Sequence, residues 1–350
     1  MATPSHRRIG LASYYAILVP VLLLAAMAAI ATGSTPVSWP TILQVAAGKL
    51  VPGWVSSASD GDTVIVWLIR IPRVVVAGLV GSALAVAGVI MQSLFRNPLA
   101  EPGTTGAGAG AVVGAVTAFA FGWTAHSSSS LPLSAIVGAA FALGLVYAMA
   151  TRGGVTPVAT LLLAGIAVSS LLVAVYSLLI SLMIANWQSA QEIVFWMMGG
   201  LEARTWTHVW LCAPFVIAGL AIALAQAREL DLLQQGEETA AAFGVDVEPA
   251  KRLLTLTAAL LTGASVAVAG SVGFVGLVVP HGVRMVLGPG NRALLPASAI
   301  AGAAFLIICD LIARTIHPPL EIRLGVVTSL VGGPIFVALL LRRYREFSAA

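Results

Sequence analysis

The chain has 350 residues, of which 59% are hydrophobic and only 9% charged, with a mean hydropathy of +0.99. Soluble domains carry about 25% charged residues, so this chain cannot cover itself with a water-compatible surface and belongs in a bilayer. Its net charge of +4 reflects arginines at helix ends, which orient membrane helices, and does not point to nucleic acid.

Apolar stretches predict an all-α polytopic membrane protein, a single domain over 1–350, with ten spanning helices. They fall at roughly 12–32, 71–94, 104–122, 132–150, 157–184, 206–226, 252–270, 274–288, 294–312 and 324–342. Arg7 and Arg8 before the first stretch imitate a signal peptide. The apolar run Leu11–Ala31 is long enough to span, and no small-x-small cleavage site precedes Thr32. An uncleaved first helix is expected. The connection 32–69 is the longest, with Pro36, Pro40, Pro52 and Gly53 as breakers. The third helix opens with Gly103, Gly106, Gly108, Gly110 and Gly114, and Gly106/Gly110 and Gly110/Gly114 have the small-xxx-small spacing that lets backbones approach. The seventh and eighth helices meet at Gly270-Ser271-Val272-Gly273, and non-helical backbone at such depth needs a protein or cavity shield.

An even count puts both termini on one side. If that side is cytoplasmic, twelve of the eighteen basic residues are inside: Arg7, Arg8, Arg96, Arg152, Arg228, Lys251, Arg252, Arg284, Arg292, Arg342, Arg343 and Arg345. Lys49, Arg70, Arg73, Arg204, Arg314 and Arg323 are outside. The positive-inside rule favours this orientation.

Candidate chemistry is sparse. The two lysines lie outside any phosphate-binding G-x-x-x-x-G-K-[ST] loop. Cys212 and Cys309 sit in apolar runs and read as buried thiols. No histidine pair has metal-ligand spacing, although His126, His208 and His317 fall on the outer side. His281 reads as structural or interfacial. Among the intramembrane acids, Glu101 and Asp310, Asp310 lies four residues from Arg314, which favours an ion pair over a proton relay. No catalytic residue and no metal site are expected.

The segment at about 228–251 is different: charged and helix-prone. Gly236 stops one short helix, Glu237 and Glu238 suit the first turn of the next, Ala240, Ala241, Ala242 and Phe243 continue it, and Gly244 ends it. A short hairpin with an apolar ridge fits a groove on a soluble partner.

Several motifs recur in one order: Arg70-Ile71-Pro72-Arg73; Gln92 with RNPLAEP at 96–102; FWMMGGL at 195–201; GEETAAAFGV at 236–245; GFVGLVVPHGVR at 273–284; NRALLP at 291–296; LGVVTSLVGGPIF at 324–336. From about Arg70 to the C-terminus the set resembles the membrane-spanning permease of type II ABC importers for ferric siderophores, haem and cobalamin, the FecCD-type permeases. The resemblance implies a homodimer in the inner membrane, two ATPase subunits, a periplasmic binding protein and surrounding lipid. ATP and Mg would lie in the ATPase, with no cofactor in this chain. It makes Gly236, Glu237, Glu238, Ala240, Phe243 and Gly244 the ATPase-coupling segment, and Arg70, Arg73 and Arg314 the sites that receive glutamates of the binding protein. Arginines at helix ends also snorkel to headgroups, so position alone leaves both roles open. It places Arg96, Asn97 and Pro98 near the cytoplasmic gate with Val158 and Ala159, and gives the pathway a weakly polar wall of Ser169, Ser170 and Ser177. The cobalamin carrier has small hydroxylated residues where Val158 and Ala159 stand, which favours an iron chelate. Arg323 stands where the family usually has proline, free to add a contact or to pair with Glu321. A gradient-driven secondary transporter would need more buried acids or unwound ion sites, and an intramembrane enzyme would need a nucleophile–base or metal constellation.

Overall fold

The computed structural model describes residues 10–33, 35–51, 58–127, 129–183, 187–318 and 320–348. Arg7, Arg8, Pro52 and Gly53 lie outside the described residues. Among the described residues fifteen α-helices follow in chain order: α1 Leu11–Ala31, α2 Trp39–Leu50, α3 Asp60–Thr63, α4 Ile71–Leu94, α5 Ala107–Ala120, α6 Ser130–Ala150, α7 Val158–Leu182, α8 Trp187–Met197, α9 Trp206–Ala225, α10 Ala227–Gln235, α11 Glu237–Ala242, α12 Val247–Ala269, α13 Val275–Leu287, α14 Asn291–Thr315 and α15 Leu324–Ser348. Each expected span has its helix. Leu11–Ala31, Asp60–Leu94, Ser130–Ala150, Val158–Leu182, Trp206–Ala225, Val247–Ala269 and Asn291–Thr315 are long and apolar enough to cross a membrane; Ala107–Ala120, Val275–Leu287 and Leu324–Ala338 are shorter apolar helices.

The connection after α1 is more ordered than its prolines imply. The Ser38 hydroxyl accepts the Thr41 N–H and caps α2, with Pro40 in the first turn, where its missing N–H leaves no bond unmade. Ser59 caps α3 in the same way, accepting from Asp62 N at 3.1 Å. A π-helical stretch, Val64–Arg70, then joins α3 to α4, with Ile71 N–H bonding to Val66 C=O. The switch to i→i+5 bonding just before Pro72 carries one helix from Asp60 to Leu94 past a residue that lacks a donor.

Helix α4 is the axis of the bundle, buried almost throughout from Val74 to Leu94 by α9, α12, α13 and α14. Backbones approach closely there: a Cβ on Gly81 would collide with the Gly302 carbonyl of α14. The glycine spacing of α5 does the same work, since Gly110 lies against the Gly138 carbonyl of α6. Helix α7 rests mainly on α5, α6 and the turn before α5, leaving Leu163, Leu171, Leu178 and Leu182 exposed. Between α12 and α13 the chain is non-helical, as the glycines there predict, with Gly270 at φ 68° and Phe274 at φ 67°. Cys212 and Cys309 are buried free thiols.

Candidate functional site

The segment 228–251 folds as the expected hairpin of α10 and α11 and extends into the start of α12. Helix α10 buries Leu230 and Leu233 against the bundle. Asp231 holds it there, accepting from both the backbone N–H and Nδ2 of Asn291 at 2.8 Å. Asn291 opens α14, so the carboxylate also satisfies one of that helix's orphan donors. Ser93 Oγ donates to Asn291 Oδ1 at 3.1 Å and accepts from Arg284 Nη2 at 3.2 Å. One buried asparagine thus ties α10 to α4 and, through Ser93, to α13. The sequence flagged NRALLP but not this role.

Gly236 follows at φ 135°, ψ 149°, a backbone state essentially reserved for glycine. In α11, Ala240 is fully buried while Glu238, Ala241 and Ala242 face out, and Phe243 at its end is 65% exposed. Glu237, expected on the coupling surface, is engaged within the chain: Lys251 Nζ donates to Glu237 Oε2 at 2.9 Å and to the Thr156 carbonyl at 2.9 Å, and pairs with Glu248 Oε1 at 2.7 Å. Glu248 Oε2 in turn accepts the Thr156 N–H at 3.0 Å. Thr156 immediately precedes Pro157, the cap of α7.

The turn after α4 reaches the same end of the bundle. Asn97 Oδ1 accepts from Leu99 N at 3.0 Å and holds the turn around Pro98; Arg96 takes φ 49°, and a Cβ on Gly236 would lie 3.6 Å from its Nη1. Glu101, just beyond this turn, is half-buried. Val158 is half-buried and Ala159 exposed at the start of α7; further along, Ser169 Oγ is buried without a hydrogen-bond partner, Ser170 Oγ donates to Ile166 O at 3.0 Å, and Ser177 is exposed. The structure therefore gathers Arg96, Gly236, Glu237 and Thr156 at one end, and strings the serines along α7.

The arginines lie at the opposite end and face inward. Arg70 donates to the Ile30 and Ala31 carbonyls at 2.8 Å each and to that of Thr35. Arg314 donates to Thr32 O at 2.9 Å and to Ala29 O. Together they satisfy the terminal carbonyls of α1, the orphan acceptors of any helix C-terminus. Arg73 clamps two carboxylates: Nη2 lies 2.8 Å from Asp310 Oδ1 and 2.8 Å from Glu321 Oε2. Arg314 Nε stands 3.6 Å from Asp310 Oδ2, the expected pair, though the closer contact is with Arg73. Free guanidinium groups awaiting a partner are not what this end displays, because neighbouring carbonyls and acids already occupy them. Arg323 pairs with Glu202 at 2.6 Å and stacks 4.5 Å above the Phe195 ring, instead of meeting Glu321. Burial lowers the loop residue Arg204 to about 10, with Glu202 opposing.

Three motifs converge beside α15. Gly200 N–H bonds to Ala269 O at 2.9 Å, Leu324 N–H to Gly199 O at 3.1 Å and Gly325 N–H to Met198 O at 3.1 Å. A cleft of about 500 Å³ opens there, lined by Met197, Met198, Ser271, Gly273, Gly325, Val326, Ser329 and Leu330. The broken backbone thus lines a cavity, the setting in which a membrane tolerates it.

Comparison with known proteins agrees with this architecture. The cobalamin import system permease of Halobacterium salinarum is 42% identical over 330 residues, covering 91% of this chain and 83% of its own. The hemin transport system permease of Yersinia pestis is 42% identical over 306 residues, covering 84% and 88%. An inward-facing structure of a metal-chelate type ABC transporter superposes with a TM-score of 0.83 at 28% identity, covering 95% of this chain and 99% of that one. With residues 21–342 matching the family, the chain belongs to the FecCD transport family and is a multi-pass membrane permease.

Proposed function

We propose that this permease is the membrane subunit of an ATP-driven importer that moves an iron chelate, haem or a ferric siderophore, across the cytoplasmic membrane. The observation that carries the reading is the hairpin α10–α11. It presents Phe243 to solvent on a six-residue helix pivoted at Gly236 and tied by Lys251 to the start of α7. A surface like this suits a groove on a partner that changes shape with bound nucleotide. The hairpin end is cytoplasmic, both termini share that side, and two ATPase subunits dock there. A second copy of the chain covers the exposed faces of α7 and α15, with the translocation path between the copies. The serines of α7 and the cleft at Met197, Met198, Ser271 and Ser329 form its weakly polar wall. The outer end receives a binding protein, whose carboxylates reach Arg73 by displacing the half-buried Glu321.

Cobalamin is the second reading, favoured by the similarity to a cobalamin permease over 91% of the chain. The test is transport by the permease reconstituted with an ATPase and a binding protein, offered haem, a ferric siderophore and cobalamin in parallel, with and without ATP. ATP-dependent uptake of an iron chelate is expected. Uptake without ATP that collapses with the proton gradient would overturn the importer reading.

A further inference from the structure

We propose that Lys251 is the positioning residue through which the docking helix α11 moves α7, with Gly236 as the pivot. This rests on the importer reading above and adds the linkage inside the chain that such an importer requires.

Helix α10 cannot follow its neighbour easily. The buried Asn291, bonded to Asp231, Gln234 and Ser93, pins it to the packed α4 and α14. The chain passes from α10 into α11 through Gly236, at a φ and ψ strongly disfavoured for any side chain. A push on Phe243 therefore rotates α11 about Gly236 while α10 stays fixed.

Beyond the seat of Ala240, what α11 grips is Lys251. The ammonium group is buried, and its three donors match three partners, Glu237, Glu248 and the Thr156 carbonyl. Moving Glu237 redistributes the bonds of the same group that holds Thr156. Glu248 grips the Thr156 N–H as well, so both polar backbone atoms of that residue are held from the base of α12. Thr156 leads through Pro157, with its fixed φ, directly into α7. Within its own chain α7 is loosely held, with 28% of its apolar stretch buried against 78% for Asp60–Leu94. A buried charge released by one partner is costly, which makes this link stiff compared with a surface ion pair.

Two measurements decide the proposal. In nanodiscs, with no nucleotide or partner, spin labels at Ala241→Cys on α11 and Thr160→Cys on α7 report the interhelix distance. Lys251→Met is expected to broaden that distribution; an unchanged distribution would overturn the linkage. In the full complex, Lys251→Met is expected to leave ATPase association intact and to raise the ATP hydrolysed per substrate moved by about tenfold, the size of typical site-to-site couplings. A merely structural lysine would lower both activities together, and an unchanged ratio would sink the idea. Wild-type complex that fails to transport with ATP would overturn the importer reading instead, while the nanodisc distances still decide the linkage.

Discussion

Gln92 Nε2 on α4 donates to the Gly276 carbonyl at 3.2 Å, and Gly276 is the residue that Pro280, four positions on in α13, leaves without a helical donor. It also reaches the Leu277 carbonyl at 3.1 Å. A side chain from one helix thus replaces the bond that a proline removed from another. Truncating it should leave a buried carbonyl unsatisfied, at a cost of about 1–3 kcal/mol. Gln92→Ala is expected to lower the melting temperature in detergent. In a double-mutant cycle, Pro280→Ala should recover part of the loss, because it restores the backbone donor. Strict additivity would contradict this pairing.

Asp310 sits between Arg73 and Arg314 and is almost fully buried. Removing one member of a buried pair strands the other charge, typically costing about 3–5 kcal/mol. Asp310→Ala should therefore destabilise the bundle more than Glu321→Gln, because the Glu321 side chain is 28% exposed and its variant keeps a polar group beside Arg73. Thermal unfolding of the two variants side by side would check the ranking.

If a binding protein reaches Arg73 by displacing Glu321, neutralising Glu321 should ease the exchange. Glu321→Gln is then expected to strengthen capture of the binding protein, most visibly at low salt, where exposed charges are least screened. Weaker capture by this variant, measured by surface binding across a salt series, would count against exchange at Arg73.

Phe243 is exposed and Ala240 is buried, so the two should respond in opposite ways. Phe243→Ala should change stability by less than about 0.5 kcal/mol. As an aromatic anchor it should nonetheless weaken ATPase association by about 2 kcal/mol, or some thirtyfold. Co-purification of the ATPase at wild-type yield would remove Phe243 from the interface.

Gly236→Ala forces a side chain into a backbone state that costs about 1–3 kcal/mol. The expected result is a local change in α11, seen as faster hydrogen exchange over 237–245, with the bundle core unaffected.

Length, apolar runs and glycine placement located ten membrane helices, the break at Gly270–Gly273 and the hairpin around Gly236. These are local properties: a span needs a run of apolar residues, and a positive φ needs glycine, whatever lies nearby. The capped helix at Trp39–Leu50 is signalled by Ser38 and Pro40, but a proline reads equally as a breaker or a first-turn residue until the cap is seen. What the sequence left open was the partner of each charge. Arg70 and Arg314 cap α1, Arg73 holds Asp310 and Glu321, and Lys251, which grips Glu237, also bonds to Thr156, 95 residues away in the chain. Such pairings depend on which helix ends the packed bundle brings together in a low-dielectric interior, where a charge must find a counterpart at hydrogen-bond distance. Composition and local pattern thus determined that the chain spans a membrane and carries a short helical hairpin between two of its spans, while only the tertiary structure decided which partner each buried charge takes.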